Sequence, residues 1–427
     1  MNTTTRLFTL GIMALAPLPA MAQEHDHAGM DHTAMGHDAT APAEDDMAMA
    51  APSRYPATAG SGTSLLPANE GMDGLHVPLG DWTVMAHGFV TAQYTDHSGP
   101  RGDDKFYSTS MLMVTGEREG DWGRLQLKSM LSLEPAMERR GYPNLFATGE
   151  TANGLPLIDR QHPHDLFMEL AARVDVNIGE SSRLFLYGGP VGEPAIGPSA
   201  FMMRGSAKYN PEAPISHHWF DSTHITYGVV TAGIATSLLQ LEGSAFRGAE
   251  PDEKRWDIET PKLDSWSVRA TLTPSTAWAI QASYARIEQP EALHPGQDEK
   301  RFTASAHYDN GAGVSAMLAY SNKKRVPGTS LDAWLGEANW DIDRANSIFG
   351  RIEHVANDEF FPDHAHPLHD RTFRVTKFQA GYARRIPIGP VQLALGGSVS
   401  AYAKPSALDP YYGDNPWGYT LFARITL

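Results

Sequence analysis

The segment WTVMAHGFVTAQY, residues 82–94, places Trp82, Val84, Ala86, Gly88, Val90, Ala92 and Tyr94 on one face of an extended chain, and Thr83, His87, Thr91 and Gln93 on the other. Side chains of a strand alternate between faces, so the segment has one apolar face closed at both ends by an aromatic ring. A strand that crosses a bilayer has this pattern, apolar toward lipid at every second position and free to be polar between. Leu125, Leu127, Leu131 and Leu133 alternate in the same way with Gln126, Lys128, Met130 and Ser132. Leu166, Met168, Leu170, Ala172, Val174, Val176 and Ile178 alternate with Glu169, Arg173, Asp175 and Asn177, and Val391, Leu393, Leu395, Val399 and Ala401 with Gln392, Ser398 and Ser400. A charge at every other position is costly against lipid and natural toward a lumen.

Strands are predicted near 82–95, 106–118, 123–136, 166–178, 182–190, 222–231, 235–247, 264–273, 277–287, 300–309, 313–322, 330–341, 346–355, 371–384, 390–403 and 417–427. Short turns (EGDW at 119–122, TAG at 231–233, PST at 274–276, DNGAG at 309–313, IDRAN at 342–346) alternate with longer connections, as periplasmic turns alternate with extracellular loops. The count is even, about sixteen, and both ends fall on the periplasmic side. The last segment, WGYTLFARITL, alternates to the carboxyl end as a closing strand should, although it ends in Leu rather than an aromatic. The expected fold is all-β, a transmembrane antiparallel β-barrel of about sixteen strands with a disordered amino-terminal tail. A soluble sandwich or propeller also has many short strands, but two alternating classes of connection and no blade-length repeat argue against it.

Residues 1–22, MNTTTRLFTLGIMALAPLPAMA, have one basic residue, an apolar run and an A-x-A site, and read as a signal peptide. Residues 23–54 form a low-complexity His/Met-rich tail expected in the periplasm. Residues 55–81, rich in Gly and Pro, form a periplasmic linker or plug-like segment, and the barrel occupies 82–427. The chain has no Cys and a formal charge of −16. The charge argues against nucleic acid as a partner, and any metal must be held by His, Met, Asp or Glu.

The tail segment EHDHAGMDHTAMGHD, residues 24–38, offers His25, His27, Met30, His32, Met35 and His37, and neither Lys nor Arg occurs between residues 7 and 53. Thioether sulfur suits Cu(I) and imidazole suits Cu(II), Zn and Ni, so a flexible chain with both can follow copper between oxidation states. Binding would be weak, because ordering the chain offsets part of each bond. A solvated leader without a ligand role is the alternative. Three loops add histidines: RQHPHD with His162 and His164, SHHWFDSTH with His217 and His218, and DHAHPLHD with His364, His366 and His369. All three are expected on the outer side, where they could converge, although none has a named metal spacing and polar loop residues are the simpler reading. A third cluster would form if Met85 and His87 face the lumen near Met111 or Met113 and Met130, with plain methionine packing as the commoner explanation. No H-E-x-x-H, G-x-S-x-G or P-loop is present, and a hydrolytic set from Ser216 or Ser222, His217, His218 or His224 and Asp221 is disfavoured because sequence neighbours seldom converge on one atom. No enzyme is expected and no organic cofactor.

The tail resembles the Met/His-rich leaders of outer-membrane copper-resistance proteins. The strings LIDRQHPHDLFMELA (157–171), GPVGEPAIGPSAF (189–201), HHWFDSTHI (217–225) and GAEPDEKRW (248–256) are similar to a family of uncharacterised Gram-negative outer-membrane barrels. The resemblance implies a bacterial outer-membrane location and a barrel, with outer-membrane lipid as its surroundings. The functional reading is a barrel that binds and exports or sequesters a transition metal, copper first, with periplasmic metal-handling proteins as possible partners and metal tolerance as the outcome. The alternative is a general or solute-specific porin with an incidental tail, its lumen plugged if the long connections 137–165 and 191–221 fold inward.

Overall fold

The computed structural model describes residues 60–71 and 74–427. The signal peptide, the tail and its ligands His25, His27, Met30, His32, Met35 and His37 lie outside the described residues.

Sixteen strands form the wall: β1 (Trp82–His97), β2 (Asp104–Gly120), β3 (Gly123–Leu131), β4 (Phe167–Asn177), β5 (Ser182–Gly192), β6 (Thr226–Thr236), β7 (Leu239–Phe246) and β8 (Ser265–Ser275), then β9 (Trp278–Ile287), β10 (Asp298–Asp309), β11 (Val314–Val326), β12 (Ser330–Asp341), β13 (Asn346–Asn357), β14 (Phe373–Ile388), β15 (Val391–Ala403) and β16 (Trp417–Thr426). Each pairs antiparallel with its sequence neighbours, and β16 returns to β1 with Tyr94 opposite Leu421, so the sheet closes on itself. One end carries turns such as 121–122, 276–277 and 342–345. The other carries loop 1 (98–103), loop 2 (132–166), loop 3 (193–225), loop 4 (247–264), loop 5 (288–297), loop 6 (327–329), loop 7 (358–372) and loop 8 (404–416).

Alternation sorts the side chains as a lipid-embedded barrel requires. Val90, Leu112, Val114, Leu186, Leu318, Ile352 and Val399 are exposed outward, while Thr91, Gln93, Arg269, Arg301, Arg351 and Lys377 are buried inward. Two aromatic belts flank the apolar band. Tyr94, Tyr419, Trp266, Tyr284 and Trp334 lie toward the loops, and Trp278, Tyr308, Trp340 and Tyr382 toward the turns.

Three sequence expectations are corrected. The stretch TAG at 231–233 is not a turn: β6 runs on to Thr236 and the reversal is at 237–238. Gly233 is there for packing, since a Cβ on it would lie 2.4 Å from the Phe185 ring. Strand β3 stops at Leu131 rather than 136, because Glu134 turns inward. Met168, expected toward lipid, is buried, because the β3–β4 register shifts between Met130 and Leu131 and the bulge turns Met168 into the lumen.

Residues 60–71 lie within the wall at the turn end. Lys128 donates from Nζ to the carbonyls of Gly60 and Gly62, Arg269 donates to Thr63, and Asn69 N–H donates to Thr276 O in the β8–β9 turn. A short strand, Leu75–Leu79, pairs with Trp82–Ala86 and continues the ladder where β16 stops.

Candidate functional site

Loop 3 crosses the interior and is anchored to the wall on several sides. Its Ala195 and Gly197 N–H groups donate to Ser244 of β7 and Ser283 of β9. Arg204 pairs with Glu337 of β12 at 2.6 Å and with Asp221 at 3.0 Å, and Ser206 also donates to Glu337. Glu212 accepts from Lys377 of β14 at 2.7 Å and from Thr420 of β16, while Ser216 donates to Glu353 of β13. Loop 2 packs above it, with Asn144 bonded to Ala213 O and Lys377, and Tyr142 stacked on Tyr107. Gly197, at φ +69°, lets the chain turn beneath Phe220, whose carbonyl would be 2.1 Å from a Cβ.

These contacts pack the two inward loops against the wall. A wall side chain in an open aqueous pore would face water, yet Thr231, Arg301, Thr303, Glu353, Lys377 and Thr420 are all 0 % exposed. The spaces left inside include one of about 250 Å³ at the turn end, lined by Glu70, His87, Met113, Met202, Arg204 and Arg424 among others. A thinner one of about 30 Å³ follows, reaching Glu134 and His164 and sharing Met202 and Arg424 with the first.

The methionines gather between these spaces. Met85, Met111, Met113, Met130 and Met168 form one buried cluster, with Met202 and Met203 of loop 3 packed against it. Leu112 and Val114 take the outward positions that β2 left ambiguous in sequence.

Above the methionines, loops 2 and 3 bring five buried histidines together. Ring centroids lie 5.3 Å apart for His164 and His224, 5.1 Å for His217 and His224, 5.4 Å for His217 and His218, and 6.0 Å for His162 and His218. His162, His164, His217 and His218 thus converge as their sequence strings suggested, and His224 joins them. Loop 7 stays apart: His364 pairs with His369 at 4.4 Å, and His366 stacks on Phe361 and bonds Tyr411. Among the described residues no ring contact joins those three to the five.

Most of the imidazoles are held at Nδ1. His162 donates to Pro163 O, His164 to Glu134, His217 to Asp221 and His224 to Asp221 O. The Nε2 atoms of His162, His164 and His224 are buried without a hydrogen-bond partner. Burial, aided by Arg255 and neighbouring imidazoles, keeps His162 well below the usual imidazole range. Burial likewise lowers His224 and His217, the latter against the pull of Asp221. His218 is the opposite case: burial disfavours its charge, but Glu250 and Glu150 outweigh that and push it up to about 9. Burial also pushes the Glu150 carboxyl up to about 7, against the lowering effect of Arg255.

Glu150, Glu134, Glu250 and Asp221 were not among the expected ligands. Asp221 lies inside the SHHWFDSTH string, but Glu134, Glu150 and Glu250 stand outside the histidine strings they face, so no local string marks those three. The hydrolytic set does not assemble: Ser216 donates to Glu353 and Ser222 accepts from Arg301. A second acid–imidazole group, Glu291, His294 and Glu359, sits between loops 5 and 7. Lys323 and Arg325 already lie against its carboxylates, so it is electrostatically balanced.

No family model and no curated protein matches the chain, so the likeness of its strings to uncharacterised barrels and of its tail to copper-resistance leaders gains nothing from them. Solved structures do match. The OmpF of Salmonella typhi, in complex with daunomycin, superposes with a TM-score of 0.55 at 8% identity, covering 83% of this chain and 100% of that one. The outer membrane channel DcaP of Acinetobacter baumannii gives 0.48 at 11% identity, over 83% and 100% of the two chains. The anion-selective porin of Comamonas acidovorans gives 0.47 at 13% identity, over 81% and 100%. The first carries the structural conclusion: the chain has the closed sixteen-strand barrel fold seen in porins.

Proposed function

We propose that this protein is an outer-membrane channel of porin build whose resting lumen is shut by loops 2 and 3, so that it passes a restricted set of solutes rather than serving general diffusion. The observation that carries this reading is the complete burial of charged wall residues such as Arg301 and Lys377 against the inward loops. The outer membrane is the compartment that a lipid-facing β-wall with two aromatic belts suits. Liposome swelling tests the reading. Vesicles holding the full chain should swell little with small sugars, and a chain shortened within loop 3 should admit them. Rapid swelling with the unaltered chain would overturn the shut state.

A second reading, transition-metal handling with copper first, is favoured by the five converging histidines. In it the tail collects the ion in the periplasm and the barrel exports or sequesters it. Titration with Cu(I) and Cu(II) under controlled redox conditions should then give fewer bound ions when His25, His27, Met30, His32, Met35 and His37 are all replaced by alanine in the full chain. Equal uptake by the two chains would leave the tail without a collecting role.

A further inference from the structure

Glu150 and His162 of loop 2 and His218 of loop 3 each offer one ligand atom, and the three atoms lie within 4.8 Å of one another. His162 Nε2 stands 3.4 Å from Glu150 Oε1. Because Nδ1 of that ring carries its proton to Pro163 O, Nε2 presents a lone pair to a carboxylate oxygen. Two acceptors face each other in a buried place, and a proton or a cation between them would relieve the repulsion. Ligand atoms about 2.0 Å from a tetrahedral ion lie roughly 3.3 Å apart, so this pair already has the required span.

The surroundings suit a cation. Arg255 donates to the other carboxylate oxygen of Glu150 at 3.1 Å and to Asp165 at 3.0 Å, leaving Oε1 toward the imidazole. Glu250 Oε1 stands 3.3 Å from His218 Nδ1, the kind of carboxylate partner that orients a metal-bound imidazole. Locally, Glu150, Asp165 and Glu250 face the Arg255 guanidinium and the His218 imidazole, whose proton a bound ion would displace, while Arg301 and Lys323 are occupied by Glu299 and Glu291. The backbone also makes room: Gly149, at φ +112°, lets the His218 ring lie where a Cβ would be 2.6 Å from it.

The geometry points to a metal site formed by Glu150, His162 and His218, which takes a divalent first-row transition ion through two imidazoles and one carboxylate. The ion joins loop 2 to loop 3 directly and fastens the plug across the lumen. It goes beyond the channel reading, since the site binds whether or not the barrel conducts.

The test uses the full chain, folded in detergent, with His25, His27, His32 and His37 replaced by alanine so that the tail does not compete. After chelator treatment, Co²⁺ is added and the visible d–d bands are followed, with bound metal counted by mass spectrometry. One ion per chain with bands typical of nitrogen and oxygen ligands is expected. Glu150→Gln, which preserves shape, and Gly149→Ala, which removes no ligand, should each weaken binding at least tenfold, while His369→Ala should not. Retained heat-modifiable gel migration checks folding. Absence of bands in the parent, or unchanged Co²⁺ affinity in folded Glu150→Gln, overturns the site. Failure here leaves liposome swelling untouched, so the two proposals fail separately.

Discussion

Replacing Arg204 by alanine should turn the shut barrel into one that opens repeatedly in a planar bilayer. The guanidinium is fully buried and serves three partners: Glu337 of the wall at 2.6 Å, Asp221 at 3.0 Å and the Ser199 carbonyl at 2.9 Å. Arg351 and Ser206 remain on Glu337 after the change, but Asp221 keeps only His217 and a backbone N–H. Burial disfavours the Asp221 charge, and His217, Arg204 and His224 hold its carboxyl well below the usual range, so part of that support disappears. Removing one partner of a buried ion pair costs about 3–5 kcal/mol, and each 1.4 kcal/mol is roughly a factor of ten in an equilibrium. If the docked loop bears most of that cost, the undocked population rises ~100-fold or more.

The position of the side chain adds to the effect. Arg204 lines the cavity at the turn end, and Met202 and Arg424 line both that cavity and the thinner one leading to His164. Truncation therefore widens the space where the two already adjoin. Single-channel recording should show long openings in Arg204→Ala and few in the parent, with Arg204→Lys between them. An alanine variant as silent as the parent, although folded, would mean that loop 3 is not the gate.

What the sequence revealed and what it hid have a common cause. A strand announces itself through neighbours two residues apart, so alternation located all sixteen strands and the inward faces of β1 and β3. It failed where a residue served a distant partner. Gly233 read as a turn signal, whereas it makes room for the Phe185 ring of the adjacent strand. Met168 read as lipid-facing, whereas a bulge set by the β3–β4 register reverses it. The site divides in the same way. His162, His164, His217 and His218 were visible as rich local strings, but Glu150 and Glu250 face them from other parts of loop 2 and from loop 4. The loop 7 histidines share the composition of the others without their place, because loops 2 and 3 fold into the barrel while His364 stays exposed above it.

Lys377→Met should destabilise the barrel at neutral pH and reverse the sign of its response to acid. The ammonium of Lys377 is 0 % exposed and holds Glu212 of loop 3 at 2.7 Å and Asn144 of loop 2 at 3.1 Å, so one wall residue ties both plugging loops. Burial would raise the Glu212 carboxyl, but Lys377 and nearby donors hold it down to about 2. A carboxyl depressed in the folded state contributes stability above its unfolded value of about 4.3 that is lost as pH falls toward 2. The parent should therefore weaken between about pH 4.5 and 2. Without Lys377 the burial effect dominates, the carboxyl rises above its unfolded value, and the folded state gains as the solution is acidified from neutrality. The expected loss at pH 7 is about 3–5 kcal/mol, and it should shrink by pH 5 as Glu212 takes up a proton. Lys377→Met combined with Glu212→Gln should recover much of the stability at pH 7, since no unpaired charge is left. Urea unfolding followed by tryptophan emission at pH 7 and pH 5 decides the matter. If the single variant unfolds like the parent at pH 7, or weakens further on acidification, then Lys377 and Glu212 do not anchor the plug.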